Sequence, residues 1–153
     1  MNKEKVAVFL KNIDPFKTLD ADVLQKLSRT VTVKTFKANG YIFKQGEQSL
    51  ESLFIIVKGL VEITSTSDRG VESVIGFRKP GDFFSETVAL TGQRYPASAR
   101  AREDLVCIKI HRMDIETLIY NYPEFSTYFN ELLAGRMRIL YERIQNDQNN
   151  NAT

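Results

Sequence analysis

The segment Gly81–Ala101, GDFFSETVALTGQRYPASARA, decides how the rest of the chain is read. It opens on a glycine turn and sets the acidic Glu86 at the start of a short helical run. It then breaks at Gly92 and closes in the alternating strand Ser98-Ala99-Arg100-Ala101. Holding an anion in such a place takes hydrogen-bond donors and a fixed cation, and the loop reads Gln93-Arg94-Tyr95-Pro96. Whether this segment still serves an anion is the question it poses.

Working outward, strand signals lie on both sides. Upstream, VTVKTF alternates from Val31 to Phe36 and meets a turn at Ala38-Asn39-Gly40. YIFKQGE follows, then LFIIVKG, a nearly continuous apolar run suited to a strand buried on both faces. LVEITSTSDRGVESVIGF reads as two strands joined by a polar turn at Ser67-Asp68-Arg69-Gly70. Downstream, SARAR and LVCIKI resume the alternation. Short strands at intervals of roughly ten residues predict a sandwich, jelly roll or barrel.

Helices are expected at both ends. Asp20 can cap a helix carrying Val23, Leu24 and Leu27. Met113–Tyr120 makes a short helix, and Pro123 sits in the first turn of a longer one, about 123–145. Along it Phe125, Phe129, Leu133, Met137, Leu140 and Ile144 form one apolar stripe. The tail 146–153, NDQNNNAT, offers nothing to bury and reads as disordered. Residues 1–145 are expected to form a single domain.

Composition excludes several classes. With 21 basic and 19 acidic residues the net charge is +2, not the concentrated basic face of a nucleic-acid binder. One cysteine, Cys107, permits neither an internal disulfide nor a cysteine zinc site, and one histidine, His111, cannot build a cupin-type metal centre. No run is apolar and long enough for a membrane span, and MNKEKVAVFL is too short and charged for a signal peptide. A cytoplasmic protein without a catalytic constellation is expected, not an enzyme.

Leu10, Phe16 and Leu19, with FKANGYIFKQGE, LFIIVKGLVEI and PGDFFSETVALTG, resemble the cyclic nucleotide-binding domain family, which includes the catabolite activator protein and the regulatory subunits of protein kinase A. The resemblance runs from about Leu10 to Ile144 and implies an eight-stranded β-roll (a jelly-roll, cupin-like fold) with an N-terminal helix and C-terminal helices. It also implies a cassette in which a glycine lets backbone approach a cyclic phosphate. A glutamate takes the ribose hydroxyl, and an arginine grips the phosphate as a paired donor.

Carried over residue by residue, Phe84 and Glu86 match, and Ser85 stands at the glycine position. Tyr95 stands at the arginine position, Pro96 at the small residue after it, and Ala97 opens the strand. Arg94 is one residue early, and such a displacement turns a side chain to the other face. Losing a two-pronged charged contact costs about 3–5 kcal/mol, or roughly a hundred- to a thousandfold in affinity. Cyclic nucleotide (cAMP-like) binding is therefore expected to be weakened or altered. Ser85, Glu86, Thr87, Arg94, Tyr95 and Ala97 are the candidate ligand-binding residues, with the Ser85 and Thr87 hydroxyls, Glu86 and the Tyr95 phenol suiting another small polar ligand. Arg136 is a further candidate ligand-binding residue and, with Tyr141, a candidate lid residue by the resemblance.

The chain is thus expected to be a non-catalytic sensory module, acting through its C-terminal helices on a downstream domain of the same or another chain. Parallel homodimerisation through the C-terminal stripe is expected. Two alternatives stand beside it: a ligand-free dimerisation module with Tyr95 plugging the pocket, and the effector domain of a truncated transcription regulator. A weaker resemblance links the cassette and the Pro123-Glu124-Phe125 opening to bacterial proteins that continue into CBS and nucleotidyltransferase-like domains.

Overall fold

The computed structural model describes residues 1–151, with side-chain surroundings for all of these except Thr87, Met137 and 139–151. Helix α1 is Lys3–Lys11 and α2 is Ala21–Thr30. Eight strands follow: β1 Thr32–Phe36, β2 Tyr41–Phe43, β3 Ser52–Lys58, β4 Val61–Thr66, β5 Glu72–Arg78, β6 Phe83–Phe84, β7 Ser98–Ala101 and β8 Leu105–His111. Helix α3, Glu86–Thr91, lies between β6 and β7, and α4 Arg112–Asn121 and α5 Pro123–Asn151 close the chain. This is the expected mainly β roll with flanking helices.

Two antiparallel sheets make the roll, ordered β1-β8-β3-β6 and β2-β7-β4-β5. The run LFIIV reads apolar throughout because β3 has a core on each face. Leu53 and Ile55 point to the helical side, into a cluster with Phe16, Phe125 and Phe129. Phe54 and Ile56 point into the roll, among Phe43, Phe84, Tyr95 and Cys107. Alternating side chains on one strand can serve two cores only if both are apolar.

In the β4–β5 hairpin Val61 stands opposite Arg78 and Ile63 opposite Gly76, but Thr64 stands opposite Val74. Ile75 is therefore an extra residue on β5, a bulge that resets which side chains face the interior.

Three details differ from the sequence reading. Helix α1 is additional: Asn2 caps it by accepting from the Lys5 N–H at 2.9 Å, and only Val6 and Leu10 are buried. Asp20 precedes α2 as expected but makes no side-chain capping bond. Helix α5 continues through Asn151, past the boundary at 145, where 146–153 was expected to be disordered. Of the apolar stripe, Phe125 and Phe129 belong to the core, while the side chains of Met137, Leu140 and Ile144 lie outside the described residues, as does that of the candidate lid Tyr141.

Candidate functional site

The site is built where β6 gives way to α3. Phe84 and Phe83 pair with Phe54 and Ile55 of β3 and are both buried, so the chain arrives anchored. Ser85 then adopts the left-handed conformation, φ 62° and ψ 23°. This keeps the backbone shape that glycine favours, at a cost of about 1–2 kcal/mol for a residue with a Cβ. Its hydroxyl does not cap α3; Oγ donates to the Ser52 carbonyl at 2.7 Å, tying the turn to β3.

Ser85 and Glu86 line a cavity of about 170 Å³ together with Tyr95, Pro96 and Ala97. Thus four of the residues read from sequence come together: Ser85, Glu86, Tyr95 and Ala97. The hairpin contributes Ile63 and Arg78. Thr87 follows Glu86 in α3, and its side chain lies outside the described residues.

Arg94 is not brought to the cavity. Its Nη1 donates to the Gly46 carbonyl at 3.0 Å, from an exposed position on the loop. The neighbouring Tyr95 goes the other way and is buried. Its ring stacks on Phe43 with centroids 3.7 Å apart and planes 7° from parallel. Its Oη accepts from the Leu50 N–H at 3.0 Å, and burial raises the phenol above its ordinary value, with that hydrogen bond opposing. Backbone bonds fix this alternation: the Tyr95 N–H donates to the Glu47 carbonyl and the Gly46 N–H to the Tyr95 carbonyl.

Arg136, read as a lid, is found on the cassette glutamate. Its Nη1 donates to Glu86 Oε1 at 2.5 Å and its Nη2 to the Phe83 carbonyl at 2.6 Å. The guanidinium also lies 4.2 Å from the centre of the Phe83 ring. Glu86 is only 13% exposed, so its charge is answered from α5 across fifty positions of sequence. Such a pair, half withdrawn from water, is worth more than a surface ion pair.

Arg78 is the residue that sequence reasoning missed. No motif marks it, since its direction depends on the Ile75 bulge. Arg100 donates from Nε to the Asn39 carbonyl at 3.2 Å and lies over the Tyr41 ring. Among the described residues no cluster suited to a metal ion is present, and no helix is long and apolar enough to cross a membrane.

A roll with this cassette defines a ligand-sensing domain class, and the comparisons agree. The cyclic nucleotide-binding domain family matches residues 33–122. The chain belongs to that family. It is 30% identical over 141 residues to the cGMP-dependent protein kinase, isozyme 2, of Drosophila melanogaster, covering 90% of this chain but only 15% of the kinase. The sensor domain of the transcriptional regulator DNR from Pseudomonas aeruginosa has the same fold, with a TM-score of 0.76 at 19% identity over 94% of this chain and 93% of that one. The regulatory subunit of a cAMP-independent protein kinase A from Trypanosoma cruzi, bound to guanosine, matches with a TM-score of 0.65 at 24% identity, covering 87% and 51% of the respective chains.

Proposed function

We propose that this chain is a non-catalytic sensory module whose pocket takes a nucleoside or cyclic nucleotide weakly and reports occupancy through α5. The observation that carries this reading is the Arg136–Glu86 contact. One end of it is the carboxylate that, in the family resemblance, receives a ribose hydroxyl; the other end is the C-terminal helix.

The cavity size gives the contact its meaning. At about 170 Å³ it falls below the roughly 300–1,000 Å³ of ordinary small-molecule sites. A nucleotide needs more room than this, and making that room by moving the cassette displaces Glu86 and the Phe83 carbonyl, the two groups that Arg136 grips. Ligand and helix then compete for one carboxylate, which supplies the differential affinity that a switch needs. Tyr95 at the arginine position weakens the hold on a phosphate. The signal passes through α5 to a second copy of the chain or to a further domain in the cytoplasm.

Calorimetry with cAMP, cGMP, adenosine and guanosine on the wild type and on Arg136→Ala tests this. Freed from Arg136, Glu86 is expected to bind ligand about ten- to a hundredfold more tightly, as two charge-assisted hydrogen bonds no longer compete. Weaker binding by R136A would make the arginine a lid contact instead. Silence of the wild type toward all four compounds at millimolar concentration would sink the sensory reading. It would leave the ligand-free module with Tyr95 as plug, favoured by the stacking on Phe43.

A further inference from the structure

Helices α1 and α2 lie side by side and antiparallel: Lys3, at the start of α1, donates from Nζ to the carbonyl of Arg29, near the end of α2, at 3.0 Å. Between them runs an open groove of about 450 Å³, the size of an ordinary binding site. Its walls recur at helical spacing from Lys3 to Lys11 on α1 and from Ala21 to Arg29 on α2, so each helix turns one face to it along nearly its whole length. None of the lining residues belongs to the cassette or to α5.

The floor of the groove is apolar and recessed. Leu24 lies at its base, 1% exposed, and the small side chains of Ala7 and Ala21 keep the walls low enough for another backbone to come close. Val8 stands on the α1 wall and is 65% exposed, although Val6 and Leu10 of the same helix are buried. An apolar side chain at the lip of such a trough is where a partner gains new buried area.

The rim is basic. Lys3, Lys11 and Arg29 face the groove against Glu4, three cations to one anion, and among the described residues none of the four forms an ion pair. The chain as a whole is nearly balanced, with 21 basic and 19 acidic residues, so the bias belongs to this place. A basic rim around an apolar floor complements an acidic amphipathic helix, whose aliphatic stripe enters the trough while its carboxylates meet the rim. A lipid surface fits less well, because it is met by a projecting apolar face, and here the apolar groups sit between charged walls. The length agrees with a helix: walls of nine and ten residues run about 14–15 Å, close to three turns.

We infer that the α1–α2 groove is the docking site for a short acidic amphipathic helix of a partner protein, which packs on α1 and α2 as the third member of a helical layer. Lys11 and Arg29, at opposite ends of the groove, select the charge of the guest, and Val8 supplies the apolar contact. The site stands apart from the cavity at Ser85 and Glu86 and does not depend on what that cavity takes.

The test uses the wild-type chain and two synthetic peptides of about eleven residues, each held helical by a side-chain staple because so short a helix is marginal alone. Both carry the same leucine stripe; one bears glutamates on its other face and the other lysines. Fluorescence anisotropy is expected to show the glutamate peptide binding about ten times more tightly than the lysine peptide, a difference that shrinks as salt rises. Amide shifts should fall on α1 and α2 and leave the cassette unmoved. The double variant Lys11→Glu, Arg29→Glu, changed at two exposed positions, is expected to reverse the preference, and Val8→Gln to weaken both peptides several-fold. The comparison of the two peptides on the wild type stands even where a variant fails to fold. Equal binding of the two, no binding of either at millimolar concentration, or shifts outside α1 and α2 would overturn the inference. So would either of two other occupants: phosphatidylglycerol vesicles that bind the wild type more tightly than the glutamate peptide does, or a second copy of the chain, seen as self-association by light scattering that Val8→Gln abolishes.

Discussion

At the scale of single residues the site is a set of exchanges. Ser85 keeps a glycine's backbone and uses its hydroxyl on Ser52, so the turn survives without glycine. Tyr95 gives up the position of a charged ligand contact and becomes a core residue. Its hydroxyl meets the Leu50 N–H, and its ring lies flat on Phe43. Tyr95→Phe keeps the stack and removes only the acceptor. It is expected to lower stability by about 1 kcal/mol, read as a lower urea midpoint with unchanged slope. A loss several times larger would mean that the phenol organises the loop beyond Leu50.

At the scale of elements, α5 is seated by aromatic packing before it reaches the cassette. Phe129 is 1% exposed, with its ring centre 5.8 Å from those of both Phe83 and Phe125. Phe129→Ala is expected to cost about 3–5 kcal/mol in denaturant unfolding. It should also loosen Arg136 from Glu86, visible as faster amide exchange at the end of β6. The strands were legible because period-two runs such as VTVKTF survive unbroken, and β3 because a strand between two cores has no polar face to show. Helix α1 was not, since two buried residues among lysines make no stripe. Arg78 was hidden for a different reason: an alternation count cannot see a bulge, and the bulge decides which way the arginine points. The Glu86–Arg136 pair was half legible. Both residues were picked out as ligand groups, but the contact between them needed the third dimension.

At the scale of the whole molecule, two apolar clusters share the sheet β1-β8-β3-β6, one under the helices and one within the roll. Cys107 lies in the inner one, fully buried, and burial pushes its thiol from 9.0 up to about 12. The unfolded chain loses that proton first as pH rises, so the folded state binds more protons between those two values. Stability therefore falls with rising pH across that window, by up to about 1.4 kcal/mol per unit from this group. Tyr95, also raised, adds to the fall at its upper end. Urea titrations from about pH 9 to about 11 should show a steeper decline for the wild type than for Cys107→Ala, within the span set by the thiol's two values. The thiol should resist disulfide reagents until the protein unfolds.

The reach of Arg136 back to the cassette has one more consequence, for where the polypeptide can be cut. Its partner carboxylate is largely shielded from water and belongs to a six-residue helix that is otherwise held by its buried Val88 and Ala89. A version shortened ahead of Arg136 would keep every strand yet strand an anion in a half-dry crevice. Such a fragment should melt early and locally, its cassette fraying while the barrel around it stays intact.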